Sequence, residues 1–116
     1  MTNYYYLGSD KPLSIGNGTL DLVHVEPFHI KGMKYPIQVE IINGIEKDWE
    51  LQALHQYLIT HFQNNKESTV EVVHLLNSNR TDFHITERNN MEVQSLIDYQ
   101  VLRLKEGHRL AIIKNK

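Results

Sequence analysis

Histidine is the residue type with the widest chemical capacity in this chain, because an imidazole near neutral pH serves as general base, general acid or metal ligand. The seven histidines are His24, His29, His55, His61, His74, His84 and His108. His55 and His61 share a predicted helix but lie about 120° apart around it, whereas a zincin-type pair needs positions i and i+4 on one face. We therefore interpret these two as edge residues of an amphipathic helix.

His24 and His74 are the strongest catalytic candidates, since each ends a predicted strand and continues its apolar face. If the two strands are neighbours, both imidazoles converge near one end of the sheet, with Glu26, Asp21 or Glu71 as a partner carboxylate. Strand alternation places Glu71 on the opposite face from His74. The alternative is a half-buried histidine bonded to backbone at each position, and the lack of a selecting spacing favours it.

Other catalytic motifs are missing from the sequence. The chain has no cysteine, hence no disulfide, thiolate nucleophile or cysteine-based metal site. Gly8-Ser9 lacks the second glycine of a nucleophile elbow. Gly16-Asn17-Gly18 precedes a predicted strand and not a helix, so it does not fit a phosphate-binding loop. We predict no metal site and no cofactor, and an enzyme is less favoured than a binding protein.

Composition limits the class of protein and its partners. The 116 residues fit one domain spanning 1–116. A formal net charge of −2, without a Lys/Arg run, argues against nucleic acid, whose phosphates attract positive proteins. No basic and apolar leader opens the sequence, and no apolar run approaches the roughly 18–20 residues of a membrane span. The sequence predicts a cytoplasmic protein with no membrane association.

One long helix and several short strands are predicted. Leu51, Leu54, Leu58 and Phe62 fall within about 80° of one another on a helix from Glu46 to Phe62. A shorter helix is predicted from Asn90 to about Tyr99, because Asn89 and Glu92 resemble a capping pair. Strands are predicted at Tyr4–Leu7, Thr19–Val25, Ile37–Ile41, Thr69–Leu76, Asp82–Glu87, Val101–Leu104 and Leu110–Ile113, the last two as a hairpin.

These elements predict an α+β fold, in which a mostly antiparallel sheet of about five to seven strands is covered by one long and one short helix. Thr69–Leu76 is apolar on both faces and is predicted to be central. Ile37–Ile41 alternates cleanly, which predicts a half-buried strand with Gln38 and Glu40 toward solvent.

Aromatic residues lie where a protein interface is plausible. Trp49 is about 170° from the centre of the apolar stripe of the helix, and the run Tyr4-Tyr5-Tyr6 places rings on both faces of a terminal strand. Because Tyr and Trp are enriched at interfaces, we predict contact with another chain through Trp49, Tyr4, Tyr5, Tyr6 and Tyr57. The alternative is that the loops Lys11–Gly18 or Pro27–Pro36 cover these rings.

The opening segment, Tyr4-Tyr5-Tyr6-Leu7-Gly8-Ser9-Asp10-Lys11-Pro12-Leu13, resembles the start of small uncharacterised proteins of Gram-positive, Bacillus-like bacteria. The resemblance implies a bacterial cytoplasmic protein and brings with it no activity, cofactor or site residue.

The leading hypothesis is a non-enzymatic protein-binding or regulatory module that self-associates as a dimer. A small enzyme or metal-binding protein that uses His24, His74 and Glu26 is the alternative. A third hypothesis is an immunity-type protein that binds a toxin.

Overall fold

Six strands form one sheet in the computed structural model of this chain, which describes residues 2–14, 20–26, 33–42, 45–77 and 85–115. They are β1 (Thr2–Ser9), β2 (Leu22–His24), β3 (Ile37–Ile41), β4 (Ser68–Asn77), β5 (Glu87–Glu92) and β6 (His108–Lys114). Their order across the sheet is β2-β3-β1-β4-β6-β5. Neighbours are antiparallel except β5 and β6, which run parallel. With the helix α1 (Asp48–Gln63), the α+β class is confirmed.

The central strands β1 and β4 are buried on both sides, as the apolar pattern of residues 69–76 predicts. On β4, Val70 and Val72 point toward α1, on what we call the helix face of the sheet. Val73 and Leu75 point to the opposite side, the far face, where Tyr6 of β1 joins them. A strand buried on both faces needs a continuous apolar run, and this explains why β4 lacks simple alternation.

The helix α1 covers the helix face through the predicted stripe, since Leu51, Leu54, Leu58 and Phe62 are all buried there. Full burial of one such side chain contributes about 1.5–3 kcal/mol. The Glu50 carboxylate accepts the N–H groups of Glu46 and Lys47 at 2.9 and 2.8 Å, which fixes where the helix begins. Among the described residues, no helix has both the length and the apolar character needed to cross a bilayer.

The far face is crossed by residues 33–35, which we call the strap. The Met33 side chain is buried against the far-face cluster, and a Cβ added at Gly8 would lie 2.7 Å from its Cε. The side-chain amide of Gln38 donates to the Tyr35 carbonyl at 3.0 Å and is buried. The prediction that Gln38 faces solvent is therefore wrong, because the strap covers that side of β3.

The C-terminal third differs from its predicted structure. Residues predicted as the helix Asn90–Tyr99 form β5 and two short 3-10 turns, Val93–Ser95 and Tyr99–Leu102. The hairpin is also wrong, because β6 pairs with β4 and β5 instead of with residues 101–104. The Asp98 carboxylate accepts the Gln100 N–H at 2.9 Å and starts the second turn. Residues 27–32 and 78–84, which include His29, His84 and part of the predicted strand Asp82–Glu87, lie outside the described residues.

Candidate functional site

The structure does not bring His24 and His74 together. His24 ends the edge strand β2 and is exposed, as is Glu26, which follows it. His74 lies on β4, and β3 and β1 separate the two strands. Three strand spacings put the two backbones about 14 Å apart, too far for both imidazoles to act on one substrate or metal. Their convergence required neighbouring strands, and that condition is not met.

His74 instead belongs to a cluster that ties β4 and β1 to the C-terminal segment. Its ring stacks on Tyr5 with centroids 4.6 Å apart, and Nδ1 lies 2.8 Å from the Leu104 carbonyl, so Nδ1 carries the proton. The Tyr5 hydroxyl donates to the Leu102 carbonyl and accepts the Leu104 N–H. Burial raises the pKa of Tyr5, which keeps the phenol neutral. This arrangement matches the backbone-bonded histidine that the sequence left as the alternative.

Asp10, Ser68 and His61 form a hydrogen-bonded chain with the residue types of a hydrolase triad. The Ser68 hydroxyl donates to Asp10 Oδ1 at 2.8 Å, and His61 Nε2 lies 3.0 Å from the same Ser68 oxygen. In a catalytic triad the imidazole stands between the other two and accepts the serine proton. Here the serine stands in the middle and gives its proton to the carboxylate. The His61 imidazole therefore donates to the Ser68 oxygen. In this arrangement it cannot accept the serine proton and activate the hydroxyl for attack.

The hydrogen bonds among Asp10, Ser68 and His61 join three parts of the fold: the end of α1, the start of β4 and the turn after β1. Asp10 Oδ1 also accepts the Thr69 N–H at 3.0 Å. Burial lowers the pKa of His61, and the nearby Asp10 carboxylate opposes that shift. No local sequence pattern marks Ser68 or Asp10 as partners, because their contact spans 58 positions of the chain.

Glu71 and Arg109 form a buried ion pair on the far face. The Arg109 Nε donates to Glu71 Oε2 at 2.5 Å, and both side chains are almost fully excluded from solvent. The other carboxylate oxygen, Oε1, accepts the N–H groups of Lys34 and Tyr35 at 2.8 and 3.3 Å. Both oxygens of Glu71 are thus engaged in holding the strap and the β4–β6 pair. The carboxylate is fully used within the fold, which makes it a structural group.

No group of three or more His, Cys, Asp or Glu side chains in the described ranges is arranged to hold a metal ion. His61, His74 and Glu71 each bond to groups within the fold.

The aromatic interface candidates divide into buried and exposed residues. Tyr5, Tyr6 and Tyr57 are buried, and Tyr4 is half-buried against the far-face cluster. The Tyr57 hydroxyl donates to the Ser14 carbonyl at 2.7 Å, so the segment after β1 covers this ring, as the alternative held. Burial beside Glu40 raises the pKa of Tyr6 to about 12. Tyr5, Tyr6 and Tyr57 therefore lie inside the chain, Tyr4 is partly exposed, and Trp49 is exposed.

Trp49 is one of three large apolar residues that are exposed on the helix side of the sheet. We define this helix-side surface by Trp49, Ile97 and Val101, whose exposed fractions are 54, 84 and 37%. The segment that carries Ile97 and Val101 runs along α1, since His55 Nε2 donates to the Leu96 carbonyl at 3.1 Å and Arg103 pairs with Asp48. The sequence did not predict the exposure of Ile97 and Val101, because Ile97 falls on the apolar edge of a predicted helix and Val101 in a predicted strand.

No protein-family model matches the chain. The searches of curated proteins and of solved structures likewise give no match. Functional assignment therefore depends on the geometry of the chain itself, and the resemblance of residues 4–13 to Bacillus-like proteins stays a prediction.

Proposed function

We propose that this chain is a non-enzymatic protein-binding module that also self-associates, and that its partner contacts the helix-side surface. The observation that carries the proposal is the exposure of Trp49, Ile97 and Val101 on one side of the sheet. Large apolar side chains are costly to leave in water, and exposure of several of them on one side of a fold favours an interaction surface there.

The reactive side chains support the same proposal by their positions. His61, His74 and Glu71 each bond within the chain, and the bonds hold secondary-structure elements together. A catalytic group must be within reach of a substrate atom. Groups committed to the fold in this way favour binding over catalysis.

Charge on the helix-side surface suits a protein partner of mixed polarity. Asp48, next to Trp49 in the sequence, and Arg103 are about half exposed and pair with each other, so this area carries charges of both signs. Tryptophan and arginine are among the residue types enriched at the energetically dominant positions of interfaces. The expected partner presents an apolar patch flanked by polar groups.

Site-specific photo-crosslinking tests the proposal. A photoreactive amino acid replaces Gln52, an exposed residue one turn after Trp49, and in a control it replaces Lys66 in the turn after α1. We expect one protein adduct from the Gln52 position in cells of the source organism. The adduct is expected to disappear with Val101→Asp and to persist with Val23→Asp, a matched change at a residue 43% exposed on the edge strand β2.

The protein identified in the adduct is then purified, and its affinity for this chain is measured. We expect Val101→Asp and Trp49→Ala to weaken its binding at least about tenfold, because central apolar contacts dominate interface energies. Val23→Asp should change it less than about twofold. An adduct that forms equally at Lys66, or binding that is indifferent to both substitutions, would refute the helix-side surface as the contact site.

A further inference from the structure

An apolar groove lies beside the C-terminal end of α1. Ile59 and Phe62 are three residues apart on the helix, so their side chains are neighbours on its surface, and both line the groove. Val93, at the start of the first 3-10 turn, and Lys114, at the end of β6, line it from the sheet. Gln63 completes the lining, and the volume is about 200 Å³.

Strand pairing explains why Val93 and Lys114 meet at this groove. Strands β5 and β6 run parallel with Glu92 opposite Ile113, so the residues that follow, Val93 and Lys114, are adjacent. Side chains alternate along a strand, and Ile112 is buried in the core beneath α1, so Lys114 lies on the same helix face. Val93 is only half-buried against that core. The groove is therefore an extension of the helix-face core that is open to solvent.

The Lys114 ammonium makes the end of the groove near the helix terminus positive. It donates to the Phe62 carbonyl, a bond that uses one of its three N–H groups. A helix C-terminus carries about 0.5 of a negative charge, which is less than the full positive charge of an ammonium. Among the described residues that line the groove, none is acidic, and Glu92, beside Val93, is exposed outside the lining. An anion is favoured at this end.

The lining selects an apolar molecule with a single negative charge. Ile59, Phe62 and Val93 present aliphatic and aromatic carbon, which favours a hydrocarbon chain. A carboxylate matches one ammonium in charge and accepts strong, charge-assisted hydrogen bonds, and the Gln63 amide is a second donor. A phosphate monoester carries roughly −1.5 to −2 charges at pH 7, which one lysine does not balance.

The volume of the groove limits the length of the hydrocarbon chain. Pockets for drug-sized ligands measure about 300–1,000 Å³, so this groove suits a smaller molecule. An apolar cavity of about 150 Å³ accommodates benzene, which has six carbons. At about 200 Å³ the groove therefore fits a chain of roughly six to eight carbons.

We propose that this groove binds a short aliphatic monocarboxylate of about six to eight carbons. The chain of the ligand packs against Ile59, Phe62 and Val93, and its carboxylate accepts hydrogen bonds from Lys114 and Gln63. Phe62 and Trp49 lie near opposite ends of α1, about 20 Å apart along the axis at ~1.5 Å per residue. The groove is thus separate from the helix-side surface, and the inference goes beyond the proposed function.

Titration of the purified full chain with hexanoate, followed by amide NMR shifts, tests the site. We expect saturable shifts centred on Ile59, Phe62 and Val93, with the weak affinity of a ligand that buries little area. Hexan-1-ol has the same chain without the charge and should bind at least about tenfold more weakly. Hexylamine, a cation, and acetate, which lacks the chain, should shift none of these amides at the same concentrations.

A lysine variant tests the role of the charge. Lys114→Met keeps an apolar stem and removes the ammonium, so hexanoate binding should weaken at least about tenfold while hexan-1-ol binding stays within about twofold. Lys66→Met, a change at an exposed lysine in the turn after α1, is the matched control and should leave hexanoate binding within about twofold of wild type. The amide spectrum of each variant checks that it is folded.

The wild-type titrations alone can overturn the inference. Hexanoate that leaves the groove amides unchanged, or shifts them without saturation, shows that no such site exists. Equal affinities for hexanoate and hexan-1-ol, or undiminished hexanoate binding by Lys114→Met, show that the groove does not select a carboxylate. Trp49→Ala should retain hexanoate binding, so loss of the protein partner at the helix-side surface and loss of the ligand in the groove are distinguishable.

Discussion

At the scale of single residues, burial controls what the polar groups of this protein do. His61 is 8% exposed, and its imidazole donates to a serine that has already given its proton to Asp10. A helix C-terminus favours a cation, and His61 lies in the last turn of α1. Desolvation nevertheless lowers the pKa of His61, so loss of water outweighs the helix end and the Asp10 carboxylate together.

The lowered pKa of His61 makes stability depend on pH in a definite direction. The unfolded histidine titrates near 6.5 and the native one below it. Between these values the unfolded chain binds more protons, so the contribution of His61 is complete above pH 6.5 and is lost as the pH falls. His61→Gln should reduce the slope of unfolding free energy against pH by up to about 1.4 kcal/mol per pH unit.

Urea denaturation between pH 5 and 8 measures that slope. Gln63→Ala, an exposed change in the same turn of α1, serves as control and should retain the wild-type slope. Equal slopes for His61→Gln and wild type would contradict the assignment of the acid sensitivity to His61.

The buried ion pair gives a second prediction at residue scale. Glu71→Gln keeps an oxygen for the strap N–H groups and removes the negative charge opposite Arg109. An uncompensated buried charge costs about 3–5 kcal/mol, so the free energy of unfolding should fall by that amount. Glu67→Gln in the exposed turn before β4 should change it by less than about 0.5 kcal/mol. Chemical denaturation at pH 7 provides the comparison, and a loss similar to that of Glu67→Gln would show that Arg109 is solvated.

At the scale of elements, the strap packs closely against β1 because residue 8 is a glycine and has no side chain. A Cβ at position 8 would lie 2.7 Å from Met33 Cε and 3.4 Å from Glu71 Oε1. We expect Gly8→Ala to destabilise the protein by about 1–3 kcal/mol, as overpacking does. Met33→Ala removes the obstructing methyl group, so the cost of Gly8→Ala should be smaller in that background. A double-mutant cycle by thermal unfolding measures this coupling, and strictly additive losses would mean that Met33 does not cause the cost.

Helix α1 and strands β3 and β4 lie where the sequence pattern predicted them. The helix has one apolar stripe, because Leu51, Leu54 and Leu58 all pack on the sheet, and β4 has a continuous apolar run, because both of its faces are buried. Strand β5 could not be found in this way. Its exposed residues, Glu87–Glu92, carry a weak helical capping signal, and only the edge of β6 turns them into a strand. In β5, hydrogen bonds to the distant strand β6 outweigh the local conformational preference of the sequence.

The polar clusters were beyond sequence reasoning for a related reason. A backbone-bonded His74 is the alternative to the catalytic role predicted for it, but its partners Tyr5 and Leu104 lie far away along the chain. Arg109 faces Glu71 only because β4 and β6 are neighbours. Strand order decides both contacts, and alternation along one strand carries no information about strand order.

At the scale of the whole molecule, the sheet order predicts a gradient of local stability. Amides of β1 and β4 lie in the middle of the sheet and should exchange with deuterium most slowly, because they open only when the sheet comes apart. Amides of β2 and β5, the outermost strands of the described sheet, should exchange faster than those of β1 and β4. Residue-resolved hydrogen exchange measures this order, and exchange in β1 and β4 as fast as in β2 and β5 would contradict the gradient.

The position of β1 between β3 and β4 has a consequence for how the chain acquires its structure. On the ribosome, β1 is synthesised first, yet the strand that fills its second side, β4, begins at Ser68 and arrives only after α1 has been made. During part of translation the tyrosine-rich strand β1 therefore lacks the neighbour on its second side. Contacts between such distant positions close slowly, which makes this interval the period when the protein is most vulnerable to wrong pairing.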